Sequence, residues 1–183
     1  MGTNAVKASA GWKPVAVAIA GGSASGKSTL ARSIAEALGD FRPVILNQDH
    51  YFRDWSEYPP ERRSEVRTSN HPKSVLWTAL RGQVERLLER QPIDEPASGT
   101  SAAMRGRPTK RIDAGDLILV EGHLILGNEP LRELMDLRIY VEVDPHERVL
   151  RRMLRDTSHG GMTLDQAVAW YRRDVVPNYP THT

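Results

Sequence analysis

A pattern that suits phosphate binding lies near the start of the chain, in the run Gly21-Gly22-Ser23-Ala24-Ser25-Gly26-Lys27-Ser28-Thr29. Its glycines allow successive backbone amides to converge on one phosphate group without clashes from Cβ atoms. Lys27 can then reach the β- and γ-phosphates of a nucleotide, and the Ser28 hydroxyl can ligate Mg²⁺. An ordinary glycine-rich turn with an incidental lysine would have the same sequence, so the flanking residues are needed to distinguish it from a phosphate-binding loop.

The flanking residues predict a buried strand before this run and a helix after it. Val15–Ala20 is a short, continuous apolar segment, as expected of a strand that is buried on both faces. Leu30, Ile34 and Leu38 follow at a spacing of four, and Gly39 can end the helix. Because a helix that begins at the loop points its positive dipole end at the anion, this order favours a phosphate-binding loop (P-loop).

The rest of the chain alternates apolar runs with helical patterns. Further buried strands are predicted at 44–46, 117–120 and 137–143, and helices at 73–90, 144–156 and 164–173. Asp144 is the expected N-cap of the helix at 144–156, with Pro145 at the first helical position and Glu147 placed for a capping box. Residues 51–71 are interpreted as an irregular surface excursion, and residues 91–110 as an exposed loop or hairpin. The alternation predicts an α/β fold, the three-layer P-loop NTPase fold, with helices on both faces of a parallel sheet of four to five strands.

Two acidic residues follow strands at the same edge of the predicted sheet. Asp49 comes after the second strand and Glu121 ends the third. Ligands gather at the carboxyl ends of parallel strands, so both carboxylates should face the P-loop. Phosphoryl transfer needs a group that accepts the proton of the attacking hydroxyl and an anion that helps to hold Mg²⁺. The alternative for either acid is that it caps the next helix or pairs with an arginine.

A stripe of arginines lies on the helix predicted after the fourth strand. It comprises Arg148, Arg151, Arg152 and Arg155, at positions i, i+3, i+4 and i+7. The apolar residues on the opposite side, which are predicted to face the core, are Val149, Leu150 and Met153. Such a stripe is usually a solvated face, but beside a bound triphosphate it could clamp the transferring group.

Composition narrows the function further. The 183 residues suit one domain, expected over 14–183, with residues 1–13 as a flexible tail. A net charge of +2, no cysteine and no long apolar run favour a cytoplasmic protein without a nucleic-acid or membrane partner. A GTPase would carry N-K-x-D and D-x-x-G patterns, and neither occurs. A motor or regulatory ATPase would usually need a longer chain, which leaves the small-molecule kinases.

At this point the sequence resembles the uridine kinase and phosphoribulokinase family, most closely its uridine kinase branch. The P-loop GGSASGKST is similar to that of the branch almost residue for residue, and Gln48-Asp49-His50-Tyr51 resembles its Q-D-[ST]-[FY] segment. Asn70-His71-Pro72 resembles its D-H-P, and Arg151-Arg152-x-x-Arg155-Asp156 its R-R-x-x-R-D lid pattern. The resemblance runs from about Val15 to Pro177, with the motifs in the family's order.

The resemblance implies a role for each matching residue. Asp49 would be the catalytic base, and Ser28 and Glu121 would serve Mg²⁺. Lys27 and Arg155 would hold the phosphates of ATP, and Arg152 would contact the acceptor side. The residues expected to line the acceptor pocket are Tyr51, Asn70 and His71.

The sequence departs from the family in the segments with which family members bind the nucleoside. In the segment P-x-Y-D-[FH]-x-x-H-x-R, the tyrosine is replaced by Ser98 and the histidine by Ala103, while Arg105 is kept. Trp170 stands where the family has a glutamine that contacts the base, and the lid, about 151–163, lacks two arginines. The chain also stops short of the family's last strand.

Together these features predict an Mg²⁺- and ATP-dependent kinase that phosphorylates a hydroxyl group of a small molecule. The departures put uridine and cytidine in doubt as acceptors. A catalytically weak ATP-binding regulatory protein is the alternative, favoured by the missing lid arginines. The sequence leaves open whether the protein is a homo-oligomer.

Overall fold

The computed structural model describes residues 12–56, 58–66 and 71–177. In chain order the elements are β1 (Val15–Ala20), α1 (Lys27–Ala37), β2 (Val44–Asn47), α2 (Pro60–Val66), α3 (Trp77–Leu88), β3 (Ile93–Glu95), α4 (Ser101–Met104), β4 (Lys110–Ile112), β5 (Leu117–Gly122), α5 (Glu129–Arg132), β6 (Leu137–Tyr140), α6 (Pro145–Ser158) and α7 (Leu164–Trp170). No helix within these ranges is long and apolar enough to cross a membrane.

Four of the strands form one parallel sheet in the order β2-β5-β1-β6. β1 lies inside the sheet, where Val17 is opposite Leu119 on one side and Leu137 on the other. β1 and β5 are buried along almost their whole length, which explains why both are continuous apolar runs. The parallel arrangement brings the carboxyl ends of β1, β2 and β5 to one edge of the sheet, beside the P-loop.

Helices cover both faces of the sheet, as predicted. On one face, Leu80 and Val84 of α3 are fully buried in a cluster with Ala18 of β1. On the other face, Ala31 of α1 packs in a cluster with Ile19 of β1. Burying each large aliphatic side chain contributes about 1.5–3 kcal/mol, so these two layers hold the strand ends in place. The α/β three-layer fold is therefore confirmed, with four parallel strands in the described residues.

The middle of the chain is more ordered than predicted. The segment at 51–71 contains α2, and the helix predicted at 73–90 begins only at Trp77. The reason for the late start is a 3₁₀ turn at Pro72–Ser74, after which Leu76 precedes the helix with a non-helical ψ of 76°. Residues 91–110 belong to a hairpin, one of the two predicted possibilities, in which β3 pairs antiparallel with β4 and the connecting segment contains the short helix α4.

The last part of the sheet and its following helix also differ in detail. β6 ends at Tyr140, three residues before the predicted end. Asp144 caps α6, as predicted, because its carboxylate accepts hydrogen bonds from the amides of His146 and Glu147. The Glu147 carboxylate accepts a hydrogen bond from Arg151 instead of completing a capping box.

The inward face of α6 is cationic. Arg148 is only 7% exposed, whereas Leu150 and Leu154 are 60% and 66% exposed. The prediction that Leu150 faces the core is therefore wrong. Two of the four arginines, Arg148 and Arg152, face the P-loop, at Gly22 and Ser23. The other two, Arg151 and Arg155, are exposed, whereas Val149 and Met153 are partly buried.

Candidate active site

The P-loop joins β1 to α1 with backbone geometry that favours glycine. Gly26, the residue that precedes α1, has a φ of +95° and no side chain that could cap the helix. The first amides of α1 therefore have no side-chain acceptor at this position. They are donors that a phosphate group can satisfy, with the positive end of the helix dipole behind them.

Gly22 is needed for a different reason, which is the close approach of Arg148. A Cβ atom on residue 22 would lie 1.5 Å from Nη1 of Arg148, so any side chain here would displace the guanidinium group. The carbonyl oxygen of Gly22 also accepts a hydrogen bond of 3.4 Å from Nζ of Lys27. The loop is thus packed between a buried arginine and the lysine side chain.

Lys27 lies among several charged groups. Burial lowers its pKa below the ordinary value of 10.5, and this is the largest effect. The carboxylates of Glu121 and Asp49 raise the pKa of Lys27, while the guanidinium groups of Arg155 and Arg152 lower it. Lys27 and the four groups that act on it therefore come from four separate parts of the sequence.

Glu121 lies at the junction of the P-loop helix and two strand ends. Its Oε1 atom accepts a hydrogen bond of 2.8 Å from Oγ of Ser28 and one of 2.7 Å from Nδ2 of Asn47. The residue is buried, and within the described residues its Oε2 atom accepts no hydrogen bond. Ser28 and Glu121 are thus brought together, as the sequence predicted.

Asp49 lies in the 3₁₀ turn Gln48–Tyr51 that follows β2. Its amide donates a 2.8 Å hydrogen bond to Oδ1 of Asn47, so Asn47 and not Asp49 caps the turn. Among the described residues, the Asp49 carboxylate has no hydrogen-bond donor and no ion-pair partner, and it lies on the wall of a cavity. Neither the capping nor the arginine-pairing alternative applies to it.

Side chains of α6 also contact the P-loop. Nη1 of Arg152 donates to Oγ of Ser23 at 2.5 Å, and Nε donates to Asp156 at 2.5 Å. Arg155 donates to the other oxygen of the same carboxylate at 3.2 Å. The guanidinium carbon of Arg152 is 4.4 Å from the ring centroid of Trp170, within the range of a cation–π contact.

A cavity of about 880 Å³ adjoins this cluster. Its wall contains Asp49 and two of the predicted acceptor-side residues, Arg105 and Trp170. Phe52 and Trp55 provide apolar surface, and residues from α2, α4 and the π-helical turn Tyr171–Val175 complete the lining. The volume lies in the range of small-molecule sites, which run from about 300 to 1,000 Å³.

The other acceptor-side candidates lie elsewhere. Tyr51 is 1% exposed, and its hydroxyl donates a 2.5 Å hydrogen bond to Gln83, so it belongs to the core and not to the cavity wall. His71 accepts a hydrogen bond from the amide of Lys73 at 3.1 Å and is not part of the cavity lining. Asn70 lies outside the described residues. Thr29 is exposed on the first turn of α1.

Several cavity residues were not predicted. His50 lines the cavity, and its Nδ1 atom contacts Oε1 of Glu95. The hydrogen bond to Glu95 raises the pKa of His50, and the same bond lowers the pKa of Glu95. The other unpredicted charged residues of the wall are Arg53, Asp54, Arg63, Arg173 and Asp174. The excess of arginine, 20 of 25 basic residues, was the only signal in the sequence for these residues, and it does not indicate which arginines lie close together.

Residues 16–182 match a sequence model of the Phosphoribulokinase / Uridine kinase family. A uridine kinase from Geobacillus kaustophilus is 38% identical over 167 residues, which cover 91% of this chain and 79% of that protein. A uridine kinase from Lactobacillus helveticus is also 38% identical, over 168 residues and with the same two coverages.

Solved structures show the same fold. A putative fructose transport system kinase from a Silicibacter species has a TM-score of 0.67 at 21% identity, over 87% of this chain and 80% of that chain. A D-glycerate 3-kinase from Cryptococcus neoformans has a TM-score of 0.64 at 14% identity, over 91% and 78%. With a P-loop, a buried carboxylate beside it and an adjoining cavity, this chain belongs to the phosphoribulokinase and uridine kinase family and is an ATP-dependent kinase of a small-molecule hydroxyl group.

Proposed function

We propose that the γ-phosphoryl group of ATP passes to a hydroxyl group held in the cavity beside Asp49. One observation carries the proposal: Asp49 lies on the cavity wall and also acts electrostatically on Lys27 of the P-loop. A hydroxyl group in the cavity would thus lie between a proton acceptor and the phosphate-binding loop. The acceptor oxygen attacks the γ-phosphorus, its proton passes to Asp49, and ADP leaves.

The P-loop and α6 would hold the nucleotide. The amides from Gly21 to Thr29 and the Lys27 ammonium group bind phosphate oxygens, because an ammonium group and a helix N-terminus both favour anions. Arg155 holds phosphate oxygens from the opposite side. Arg152, which already lies against the P-loop hydroxyl of Ser23, orients the acceptor side. These groups stabilise charge that develops on the transferring phosphoryl group.

Ser28 and Glu121 are the residues that would hold Mg²⁺. Within the described residues there is no cluster of three or more His, Cys, Asp or Glu side chains that could bind a metal ion. A site with one carboxylate and one hydroxyl nevertheless fits Mg²⁺, which takes few protein ligands and keeps water and phosphate oxygens. Glu121 offers a carboxylate group for this purpose, and one of its oxygens already accepts a hydrogen bond from the Ser28 hydroxyl. The ion would neutralise charge on the β- and γ-phosphates.

We further propose that residues 14–183 act as one kinase domain with a lid at about 151–163. The lid begins in the second half of α6 and ends beyond His159, where Gly160 and Gly161 follow the helix. Met162 and Trp170, which lie at and beyond its end, line the cavity. Movement of this segment would therefore close the cavity and bring Arg152 and Arg155 onto the nucleotide.

A screen for acceptor-dependent ADP release tests the proposed function. The compounds are uridine, cytidine, nicotinamide riboside, pantothenate and simple sugars, each with ATP and Mg²⁺, and the Lys27→Ala variant is the control. We expect at least one compound to stimulate ADP release in the wild type and none in the variant. Slow ADP release that no acceptor stimulates would instead support the catalytically weak regulatory protein.

A further inference from the structure

We infer that His50 binds the acceptor through its Nε2 atom, and that its partner is a second hydroxyl group, close to the hydroxyl that is phosphorylated. This inference rests on the proposed function, because it concerns the ligand of the same cavity. It assigns a role to the residue that directly follows Asp49 and lines the cavity beside it. The acceptor is accordingly a polyol, a sugar or a compound that contains one.

The backbone that carries His50 is anchored on both sides. The first and last side chains of its 3₁₀ turn, Gln48 and Tyr51, are fully buried. Oε1 of Gln48 accepts a hydrogen bond of 2.9 Å from the amide of Leu124, and the Tyr51 hydroxyl donates one of 2.5 Å to a side chain of α3. Asp49 and His50 lie between these anchors and are the two residues of the turn that line the cavity. A fixed segment of this kind holds its binding groups in a defined position.

The imidazole ring of His50 is held by a carboxylate. Its Nδ1 atom contacts Oε1 of Glu95, the last residue of β3. Because a carboxylate accepts hydrogen bonds and does not donate them, Nδ1 carries a hydrogen atom, and the bond fixes the orientation of the ring. Nε2 is on the far side of the ring, where within the described residues it forms no hydrogen bond and is not buried. Since the side chain is 37% exposed and lines the cavity, a ligand can reach this atom.

The protonation of His50 decides which groups can bind to Nε2. The hydrogen bond to Glu95 raises the pKa of His50 above 6.5, and the charge of Asp49 adds to this, whereas burial and the charge of Arg107 lower it. In the imidazolium form Nε2 donates a hydrogen bond, and in the neutral form, with its hydrogen on Nδ1, Nε2 accepts one. A hydroxyl group satisfies both forms, because it donates as well as accepts. A carbonyl or carboxylate oxygen would bind to the cationic form alone.

The second hydroxyl has to lie near the reacting one. Adjacent Cα atoms are about 3.8 Å apart, so Asp49 and His50 serve one small region of the cavity. Two hydroxyl groups of one sugar-sized ligand can occupy this region. Asp49 takes the proton of the first, and Nε2 of His50 holds the second. The contact with His50 then limits rotation of the acceptor and keeps its reacting oxygen directed at the P-loop.

Two substitutions of His50 separate binding from a purely structural role. His50→Asn places its amide near the position of Nδ1, so it keeps the contact with Glu95 and removes the group at Nε2. His50→Gln is one methylene longer and places its amide near Nε2, so it keeps the group in the cavity and loses the contact with Glu95. His146→Asn is the matched control, because His146 is exposed on the first turn of α6 and does not line the cavity.

Two sets of deoxy compounds identify the hydroxyl group that is bound. One set is uridine, 2′-deoxyuridine and 3′-deoxyuridine, which share a free 5′-hydroxyl. The other is glucose, 3-deoxyglucose and 4-deoxyglucose, which share a free hydroxyl at C6. Calorimetry in the presence of a non-hydrolysable ATP analogue gives the affinity of each compound, and initial rates of ADP release give kcat/KM. Each measurement is made at about pH 6.0 and about pH 8.5, because the contact between His50 and Glu95 contributes least to stability at the higher pH.

In at least one set, we expect the removal of one hydroxyl to weaken binding to the wild type by about 10-fold, the value of one hydrogen bond. The effect should be present at both pH values. In His50→Asn the same removal should change the affinity by less than about twofold, because the hydroxyl has already lost its partner. His50→Gln should keep most of the 10-fold effect, and His146→Asn should keep all of it.

The outcomes separate the two proposals. If the wild type and His50→Asn are equally sensitive to the loss of every hydroxyl, with ordinary acceptor-dependent ADP release, the inference is overturned and the proposed function stands. A hydroxyl effect that His50→Gln abolishes and His50→Asn keeps also overturns it, because that pattern belongs to a structural role. An effect present only at the lower pH excludes a hydroxyl as the partner of Nε2. Binding in the expected pattern without any ADP release supports the contact with His50 and refutes the proposed phosphoryl transfer. If neither uridine nor glucose binds, the inference fails.

Discussion

Asp49→Asn is the sharpest test of the proposed chemistry, because it removes a proton acceptor and little else. The substitution keeps the shape of the side chain. The turn that carries residue 49 is capped by Asn47 through the backbone amide, and this 2.8 Å hydrogen bond does not involve the Asp49 carboxylate. Within the described residues the carboxylate has no hydrogen-bond or ion-pair partner to lose. We therefore expect the free energy of unfolding to change by less than about 0.5 kcal/mol.

The effect on turnover should be far larger. A positioned general base is worth about 10²–10⁴ in rate, which corresponds to about 2.7–5.5 kcal/mol in the activation free energy. ATP binding should change little, because Asp49 influences Lys27 less than Glu121 does. An exposed charge pair contributes under about 1 kcal/mol, so we expect less than about a fivefold change in ATP affinity.

The assay is steady-state ADP release with saturating acceptor, together with thermal unfolding and titration of an ATP analogue. Asp54→Asn is the matched control, since Asp54 is another exposed acid on the same cavity wall but is held by Ser56. Its kcat should stay within about threefold of the wild-type value, the range of ordinary surface substitutions. The reasoning is refuted if kcat of Asp49→Asn also stays within that range, or if both variants lose activity equally.

Three further outcomes follow from the site and its lid. Lys27→Ala should nearly abolish turnover, because a phosphate-binding charge is lost from the first residue of α1, while the melting temperature stays close to that of the wild type. Wild-type activity in this variant would contradict the P-loop assignment. Backbone amides at 156–163 should exchange hydrogen faster in the empty protein than with an ATP analogue bound, and strong protection in the empty protein would exclude a mobile lid. His50→Gln should destabilise the protein most between about pH 4.5 and 6.5. Glu95 raises the pKa of His50 above 6.5, so this stabilisation is complete below 6.5 and is lost as the pH rises through the raised value. The lowered pKa of Glu95 means that its contribution is present above 4.5 and is lost as the pH falls through the lowered value. Urea unfolding at about pH 5.5 and 8.5 measures the difference, which should be smaller at the higher pH.

The sequence alone was enough to predict the features that depend on neighbouring residues. Each of these features depends on a few consecutive residues: the P-loop, the apolar runs of β1 and β5, and the cap of α6 at Asp144. The carboxyl ends of parallel strands share one edge of the sheet, and for this reason the sequence predicted that Glu121 lies close to Ser28 of the P-loop.

Only the tertiary structure decided which side chains meet across the chain. Periodicity defines two faces of α6 but not which face turns inward, and Arg148 and Arg152, not Leu150, lie against the P-loop. Tyr51 was expected to line the acceptor pocket, but its side chain is buried in the core, where its hydroxyl donates a hydrogen bond to Gln83 of α3. Arg63 and Arg105, which line the same cavity, belong to segments about 40 residues apart in the sequence. No local pattern specifies such a meeting, because it results from how the helices and loops pack on the finished sheet.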